Sequence, residues 1–244
     1  MAQHHPARII ALVNQKGGPG KTTLTMHLAS ELSRREARVL VADADPQGTA
    51  TRWAAAAPDD TPFPAAVAGL GGAGARLHRE LRKYLEPFDF IVVDCPPSAD
   101  SPLSHSALLV ADLALVPVIP SPPDLWAGIA IRQVIANVCA INEDLKARLI
   151  VNQCKPRTRL ATRTLELLPR YGIPVLQTQI GDREAFRHAA AAGLTVSDLP
   201  RAAKAAEEIS MLTDEVLIAL SMRALEKLPA VAPVTTPAAG RWGA

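Results

Sequence analysis

The sequence is poor in aromatic side chains, which make up only 4% of its 244 residues. Hydrophobic residues still account for 48% of the chain and charged residues for 20%, which supplies one sizeable core and excludes disorder as the main state. Alanine provides much of the apolar share. Such a composition favours closely packed helices over a β-sandwich, whose core usually draws on aromatic and β-branched residues.

Cysteine is also scarce, and Cys95, Cys139 and Cys154 form no CxxC pair. An odd number without paired spacing indicates neither a disulfide framework nor a thiolate zinc site. The longest apolar stretch, residues 107–119, is interrupted by Asp112 and is shorter than the roughly 20 residues that a membrane helix needs. The first residues lack the apolar segment of a signal peptide. We therefore expect a soluble, cytoplasmic protein.

Short, nearly continuous apolar runs alternate with longer stretches of helical periodicity. This pattern predicts an α/β fold, a mostly parallel β-sheet flanked by helices on both faces. The predicted strands are residues 9–13, 39–42, 90–94, 113–118, 149–152 and 174–176, with a weaker one at 63–67. The predicted helices are residues 21–36, 75–85, 103–110, 124–141, 159–170, 183–192 and 201–228. We interpret residues 7–228 as a single domain and residues 229–244, with three prolines and no periodicity, as a flexible tail.

A glycine-rich segment lies between the first predicted strand and the helix that follows it. Successive small residues let backbone N–H groups turn inward around an anion, and the start of the helix directs its own N–H groups to the same place. The segment departs from the ordinary P-loop, because Gln15 stands where that pattern has glycine, and Lys16 is an additional lysine. It matches instead the deviant Walker A form KGGxGK[ST]T. The sequence therefore predicts a P-loop NTPase fold.

We expect this segment to bind ATP and Mg²⁺. Lys21 is predicted to neutralise the β- and γ-phosphates, and the Thr22 hydroxyl to coordinate the metal. The predicted nucleotide-binding residues are Lys16, Gly17, Gly18, Pro19, Gly20, Lys21, Thr22 and Thr23.

Two more predicted strands end in carboxylates, at the edge where ligands bind in open parallel sheets. Asp94 closes the strand at 90–94 and is followed by Cys95, so it is a candidate for holding Mg²⁺ through a water, as in a Walker B motif. Asp43 and Asp45 follow the strand at 39–42, and Asp45 is the candidate for positioning the attacking water. A DxD pair is more often a turn or a helix cap. Its place beside the phosphate loop favours the catalytic interpretation.

These motifs together resemble the ParA/MinD family of deviant-Walker ATPases, and within it the ParA-like partition and cargo-positioning proteins. The resemblance covers most of residues 8–200, including the later stretch at 111–124. It implies a homodimer that sandwiches ATP, in which Lys16 crosses to the nucleotide of the other subunit and Lys16, Lys21 and Asp45 are catalytic. It also implies that Asn152, at the end of the strand at 149–152, reads the adenine edge. A turn at the strand end is the alternative for Asn152.

ParA-like proteins are expected to bind DNA without sequence preference. The net charge of +2 indicates no partner, but between Asn152 and Lys204 nine Lys and Arg residues stand against four Asp and Glu residues. Such a basic segment suits phosphate contacts that carry affinity and no sequence information. A solvated helix face with salt bridges would look similar. The candidate DNA-contacting residues are Arg157, Arg159, Arg183 and Arg187.

The resemblance implies a slow, partner-stimulated, Mg-dependent ATP hydrolase in the cytoplasm, associated with the nucleoid. It would segregate or position a plasmid, a chromosome region or a protein cargo, with a ParB-like or small adaptor protein as the stimulating partner. A MinD-like membrane-associated positioning ATPase is one alternative, although the last predicted helix carries mixed rather than basic charge, so no membrane is expected. An iron-protein-like redox ATPase is another, and it would need two cluster-binding cysteines per subunit. A small-molecule kinase or ligase would need a substrate pocket for which no separate constellation is found.

Overall fold

The computed structural model describes residues 6–98, 100–155, 165–168 and 172–221, and it leaves the side chains of residues 122–129 undescribed. Seven parallel strands form one sheet in the order β3-β2-β4-β1-β5-β6-β7. This confirms the predicted α/β fold with a parallel sheet. The strands are β1 (Arg8–Leu12), β2 (Val39–Asp43), β3 (Ala66–Gly69), β4 (Phe90–Asp94), β5 (Leu113–Val118), β6 (Lys146–Cys154) and β7 (Val175–Gly181).

Helices cover both faces of the sheet, and each face has its own core. Along β1, Ile9 and Ala11 belong to one apolar cluster and Ile10 and Leu12 to the other, because successive side chains of a strand point to opposite faces. The helices are α1 (Lys21–Arg34), α2 (Thr49–Ala55), α3 (Leu77–Arg82), α4 (Pro102–Leu108), α5 (Pro122–Cys139), α6 (Glu184–Ala191) and α7 (Ala203–Ser221). Helices α1, α2, α6 and α7 pack on the face of Ile10, and α3, α4 and α5 on the other.

Several element bounds differ from the sequence prediction. Helix α2 was not predicted, β3 lies three residues later than the weak prediction at 63–67, and β7 is longer than the three residues predicted for it. Most of the predicted helix at 159–170 lies outside the described residues, as do the end of the predicted helix at 201–228 and the proposed tail at 229–244. None of the helices within the described ranges combines the length and apolarity needed to cross a bilayer.

The strand β7 lies at one edge of the sheet and is covered by carboxylates of α7. Glu215 accepts hydrogen bonds from the backbone N–H groups of Gln177 and Thr178, both at 2.7 Å. About two turns earlier on the same helix, Glu208 accepts a hydrogen bond from the N–H of Gly181 at 3.1 Å. These bonds satisfy donors that an edge strand would otherwise leave open to pairing with another chain.

The order of the strands brings three chain segments to one point. Strand β1 lies between β4 and β5, where successive connections leave in opposite directions, and this is where open α/β sheets bind ligands. The register pairs Asp94 with Leu12 on one side and with Asp43 on the other. The segments after β1, β2 and β4 therefore meet at the carboxyl edge of the sheet.

Candidate functional site

The glycine-rich segment forms a loop between β1 and α1. Gly18 and Gly20 have φ values of 97° and 85°, in the left-handed region that favours glycine. At Gly20 a Cβ atom would also lie 2.3 Å from Nδ2 of Asn152, so a side chain cannot be accommodated there without movement of Asn152. Gly17 is exposed and Pro19 is buried. The loop is thus held closely on one side by β6.

Asn14 anchors the start of the loop, a role that sequence reasoning did not assign. Its Nδ2 donates to the carbonyl of Pro117 at 2.5 Å, and its Oδ1 accepts from the N–H of Lys16 at 3.3 Å. Asn14 is buried, with 2% of its surface exposed. Asn14 links the turn that carries Lys16 to the end of β5. In the sequence, only its place as the first residue of the NQKGG motif could have indicated this role.

Helix α1 begins at Lys21 without a side-chain cap, and no acidic residue lies in its first turn. Its first N–H groups are therefore available to an external anion. Nζ of Lys21 donates to the carbonyl of Lys16 at 3.2 Å, so the ammonium folds back across the loop. Burial lowers the pKa of Lys21, and the nearby Asp94 and Asp45 oppose that shift. Thr23 follows in the same first turn, and its carbonyl is 2.7 Å from Nδ1 of His27.

Thr22 and Asp94 meet at the centre of the site. The Thr22 hydroxyl donates to Oδ2 of Asp94 at 2.6 Å, while Oδ1 of Asp94 is buried and has no hydrogen-bond partner among the described residues. Burial raises the pKa of Asp94 to about 7, with the charges of Asp43 and Asp45 adding to the rise and the bond from Thr22 and the charge of Lys21 opposing it. A carboxylate in this state gains from the arrival of a cation.

Asp43 lies beside Asp94 and is held by α2. Its Oδ2 accepts from both the N–H and the hydroxyl of Thr51, each at 2.8 Å, and its Oδ1 is buried without a partner among the described residues. Sequence reasoning singled out neither Asp43 nor Thr51 as a site residue. Thr51 could have been identified from its place in the first turn of a helix that begins a few residues after the DxD pair. The N–H groups of a first turn have no partner within the helix and can bind an anion.

Asp45 stands in a turn at the rim of the site. Its Oδ1 accepts from the N–H of Gln47 at 2.9 Å, and its carbonyl accepts from the N–H of Gly48 at 2.8 Å. The side chain is half-buried. The second aspartate of the DxD pair therefore lies in a turn, as the alternative interpretation expected. The catalytic role of Asp45 stays a prediction.

The oxygens of this site fit Mg²⁺. A hydroxyl and carboxylates are hard donors of the kind that Mg²⁺ prefers, and Mg²⁺ usually takes one or two of them together with waters and substrate phosphates. The two buried oxygens without partners, on Asp43 and Asp94, lie on neighbouring strands at paired positions. Buried unpaired carboxylate oxygens are costly, so a cation or its bound waters would satisfy them.

Two side chains at the end of β6 contact the loop from outside. Nδ2 of Asn152 donates to the carbonyl of Pro19 at 2.7 Å, and Nε2 of Gln153 donates to the carbonyl of Gly18 at 2.8 Å. Asn152 is buried, with 4% of its surface exposed. Its predicted contact with adenine stays a prediction. Gln153 was not among the residues predicted from the sequence.

The candidate DNA-contacting arginines are only partly described. Arg157 and Arg159 lie outside the described residues. Arg183 donates to Glu208 from Nε at 3.0 Å and from Nη2 at 2.5 Å, so an acid beyond the basic segment neutralises it. Arg187 and Lys155 both pair with Asp182, at 3.0 Å and 3.6 Å. DNA contact by these residues stays a prediction.

The sequence matches the model of the CobQ/CobB/MinD/ParA nucleotide binding domain over residues 10–196. It is 35% identical over 209 residues to maintenance of carboxysome distribution protein A of Halothiobacillus neapolitanus, and the match covers 85% of this chain and 95% of that protein. It is 30% identical over 246 residues to the chromosome-partitioning ATPase Soj of Thermus thermophilus, covering 86% of this chain and 95% of that protein.

Solved structures agree with these relatives. Cobyrinic acid a,c-diamide synthase from Mycobacterium smegmatis, with bound ADP and magnesium, superposes with a TM-score of 0.67 at 25% identity and covers 86% of this chain and 94% of that one. A complex of McdA from Cyanothece with ATP shares the fold, with a TM-score of 0.72 at 19% identity over 91% of this chain and 100% of that one. The resemblance drawn from the motifs is confirmed: the chain belongs to the CobQ/CobB/MinD/ParA family of nucleotide-binding domains and has the ATPase fold of its ParA and MinD members.

Proposed function

We propose that this protein is a Mg-dependent ATPase of the ParA type that joins two subunits around ATP and separates them after hydrolysis. The observation that carries the proposal is the Thr22–Asp94 contact of 2.6 Å, with a second oxygen of Asp94 buried and without a partner among the described residues, at the start of an uncapped helix. A metal next to phosphates would complete this arrangement. Similarity to the partition and carboxysome-distribution proteins supports the same conclusion.

Each residue of the site has a role in this proposal. The N–H groups of the loop and the first turn of α1 would bind the phosphates, and Lys21 would neutralise them. Thr22 and Asp94 would hold Mg²⁺, with Asp43 as a further acceptor for its waters. When bound, the metal would neutralise negative charge on the phosphates. The adenine edge remains assigned to Asn152.

Hydrolysis would depend on two further side chains. Asp45 lies near enough to Lys21 to oppose the shift of its pKa, and it would orient the attacking water at the rim of the site. Lys16, which is half-buried at the start of the loop, would reach the nucleotide of the other subunit. A cation that arrives only on dimerisation stabilises the charge developing on the transferred phosphoryl group, so turnover is coupled to assembly.

We propose that the cycle of ATP-dependent dimerisation and hydrolysis serves to distribute a cargo. One relative is named for the distribution of carboxysomes and another for chromosome partitioning, and a protein assembly, a plasmid or a chromosome region would each suit the same mechanism. We propose that the ATP dimer binds DNA without sequence preference and so associates with the nucleoid in the cytoplasm. A ParB-like or small adaptor protein would stimulate hydrolysis.

The DNA step is tested by binding of the purified chain to non-specific double-stranded DNA with ATP, with ADP and without nucleotide, over a series of salt concentrations. Binding with ATP alone that weakens steeply with salt is the expected result, because phosphate contacts release counterions. The variant Arg187→Ala should reduce the salt slope by about one. Lys83→Ala, whose exposed ammonium pairs with Glu80 on α3, serves as the matched control. Absence of DNA binding in every state, with ATP-driven dimerisation intact, would point to a membrane or small-molecule role.

A further inference from the structure

The phosphate loop has two adjacent carbonyl groups on its outer side that accept hydrogen bonds from side chains. When backbone N–H groups turn inward toward an anion, the carbonyl groups between them face outward. Here the outward carbonyls of Gly18 and Pro19 accept hydrogen bonds from Gln153 and Asn152, at 2.8 Å and 2.7 Å. Two adjacent side chains of β6 therefore bind two adjacent carbonyls of the loop.

The backbone of β6 is irregular at the point where it makes these contacts. Val151 pairs with Gln179 on β7, and Cys154 pairs with Gly181, so β6 has one residue more than its partner between the two pairs. This is a bulge, which bends a strand and changes the direction of a side chain. Consecutive residues of a regular strand would point to opposite faces, whereas the bulge lets Asn152 and Gln153 both reach the loop.

Gln153 adopts this position with an unfavourable backbone. Its φ is +52°, and among the described non-glycine residues only Glu36 also has a positive φ. Glu36 directly follows the end of α1, where a left-handed residue is common. Gln153 lies inside a strand, where φ is normally extended, so its left-handed backbone is strained. Strain of this kind is often found at functional sites.

From these contacts we propose that Asn152 and Gln153 form a clasp that holds the phosphate loop in its anion-binding shape before nucleotide arrives. Both act as positioning residues and set the affinity for the phosphate chain of the ligand. The inference rests on the proposed function, because it assumes that the loop binds nucleotide. The clasp also accounts for the crowding at Gly20, where a Cβ would lie 2.3 Å from Nδ2 of Asn152.

The test compares ATP with Mg²⁺-tripolyphosphate, a probe that has the phosphates and lacks the base. Gln153→Met keeps the length of the side chain and removes its donor. We expect it to weaken the binding of both ligands about three- to tenfold by calorimetry, the range that one hydrogen bond supplies. Gln177→Met, on an exposed side chain of β7, is the matched control and should bind both as the unmodified chain does.

A second variant separates positioning from general stability. Gln153→Gly relieves the strained φ and also removes the donor, so its midpoint of urea unfolding should stay level or rise while its affinity for both ligands falls. Asn152→Ala should likewise weaken tripolyphosphate together with ATP. If Asn152→Ala weakens the binding of ATP and leaves that of tripolyphosphate unchanged, its side chain reads only the base and the clasp is wrong for that residue.

The outcomes distinguish this inference from the proposed function. If the unmodified chain binds neither ligand, the proposed function fails and the clasp fails with it. If it binds ATP but not tripolyphosphate, the affinity comes from the base and the clasp is wrong. If it binds both and the Gln153 variants match it, the proposed function stands and the clasp is overturned.

Discussion

At the scale of the residue, each of the two buried carboxylates of the site has one oxygen that accepts hydrogen bonds from a threonine. Thr22 occupies one oxygen of Asp94, and Thr51 occupies one oxygen of Asp43 with two donors. The other oxygen of each carboxylate is buried without a partner among the described residues. Because two neighbouring strands carry these carboxylates at paired positions, we expect the two oxygens to serve together as acceptors for a cation and its waters.

Removing the Thr51 hydroxyl tests the contribution of α2 to this surface. In Thr51→Val the N–H of residue 51 still donates to Asp43, and the lost second bond lets the carboxylate rotate. We expect the rate of ATP hydrolysis to fall about three- to tenfold while the affinity for ATP changes little. Steady-state kinetics and a separate binding titration check this. Thr49→Val, on an exposed residue of the same helix, should behave as the unmodified chain, and an unchanged rate in Thr51→Val would remove Thr51 from the mechanism.

Replacing Asp45 tests the position of the attacking water. Asp45→Ala should still bind ATP, because none of the phosphate-binding groups is altered, but hydrolysis should fall at least a hundredfold, within the range of general-base effects. The variant should accumulate as an ATP-bound dimer, which light scattering after addition of ATP would detect. Normal turnover in this variant would assign Asp45 to the turn that its bonds to Gln47 and Gly48 form.

The residue scale also shows the limit of sequence reasoning. The motifs predicted Thr22 and Asp94, and the structure brings them into contact. Asp94 ends β4, and Thr22 lies in the first turn of α1, after the loop that follows the neighbouring strand β1. Asn14 and Gln153 were missed because their contacts depend on β5 and β6, which are more than a hundred residues away in the chain. A local sequence pattern does not indicate which side chain will contact a loop that lies more than a hundred residues away in the chain.

At the scale of the element, a buried histidine joins three helices. The ring of His27 on α1 packs edge-on against Trp53 of α2 and Phe186 of α6, with centroids 5.6 Å and 5.1 Å apart. Trp53 in turn donates its indole N–H to the carbonyl of Leu194 at 3.0 Å. Because α1 begins at the phosphate loop and α2 carries Thr51, this cluster connects the site to α6.

Burial lowers the pKa of His27 to about 4, although the hydrogen bond from its ring to the carbonyl of Thr23 acts to raise that pKa. The unfolded chain, with a histidine pKa near 6.5, therefore binds more protons than the folded chain between about pH 6.5 and 4. The stability contributed by neutral His27 is complete above pH 6.5 and is lost as the pH falls through this window. We expect the free energy of unfolding to fall by about 2 kcal/mol between pH 7 and pH 5 from this residue alone.

Urea unfolding at pH 7 and pH 5 measures this effect. His27→Leu should be less stable at pH 7 and should show a smaller loss at pH 5 than the unmodified chain. His188→Leu, on an exposed residue of α6, should keep the full dependence on pH. An equally steep loss in His27→Leu would mean that His27 is not the group that titrates.

The carboxylate that covers the edge strand makes a second prediction at this scale. Glu215→Ala leaves the N–H groups of Gln177 and Thr178 and the Thr178 hydroxyl without their acceptor. We expect a loss of about 1–3 kcal/mol in the free energy of unfolding, measured by urea denaturation. Glu207→Ala, on an exposed residue of the same helix, should change stability by no more than about 0.5 kcal/mol. Equal stability of the two variants would contradict this.

The two strands β3 and β7, whose bounds differ from the sequence prediction, both lie at an edge of the sheet. Strand β7 alternates between buried and exposed residues because it lies at the sheet edge, whereas the prediction looked for continuous apolar runs. Strand β3 is made of alanine, valine and glycine, and its bounds come from pairing with β2 rather than from its own propensity. The central strands β1, β2, β4 and β5 are buried on both faces, and the sequence predicted them to within one residue.

At the scale of the whole molecule, we propose an ATPase whose catalytic site is completed by a second subunit. The family and the fold are shown by the relatives and by the seven-stranded parallel sheet. In the proposed mechanism, one subunit would supply the phosphate loop, the metal-binding oxygens and the water-positioning acid. The remaining cation, Lys16, lies half-buried in the loop of its own subunit. Its proposed transfer to the nucleotide of the other subunit is the step that connects chemistry to assembly.

The most direct measurement is the mass of the purified protein in solution with ATP and Mg²⁺, with ADP, and without nucleotide, for the unmodified chain and for Lys16→Ala and Lys21→Ala. We predict a dimer of the unmodified chain with ATP alone, ATP binding without productive dimerisation in Lys16→Ala, and no nucleotide binding in Lys21→Ala. Lys83→Ala should dimerise normally. A Lys16→Ala variant that still dimerises with ATP and hydrolyses it at the normal rate would contradict the account.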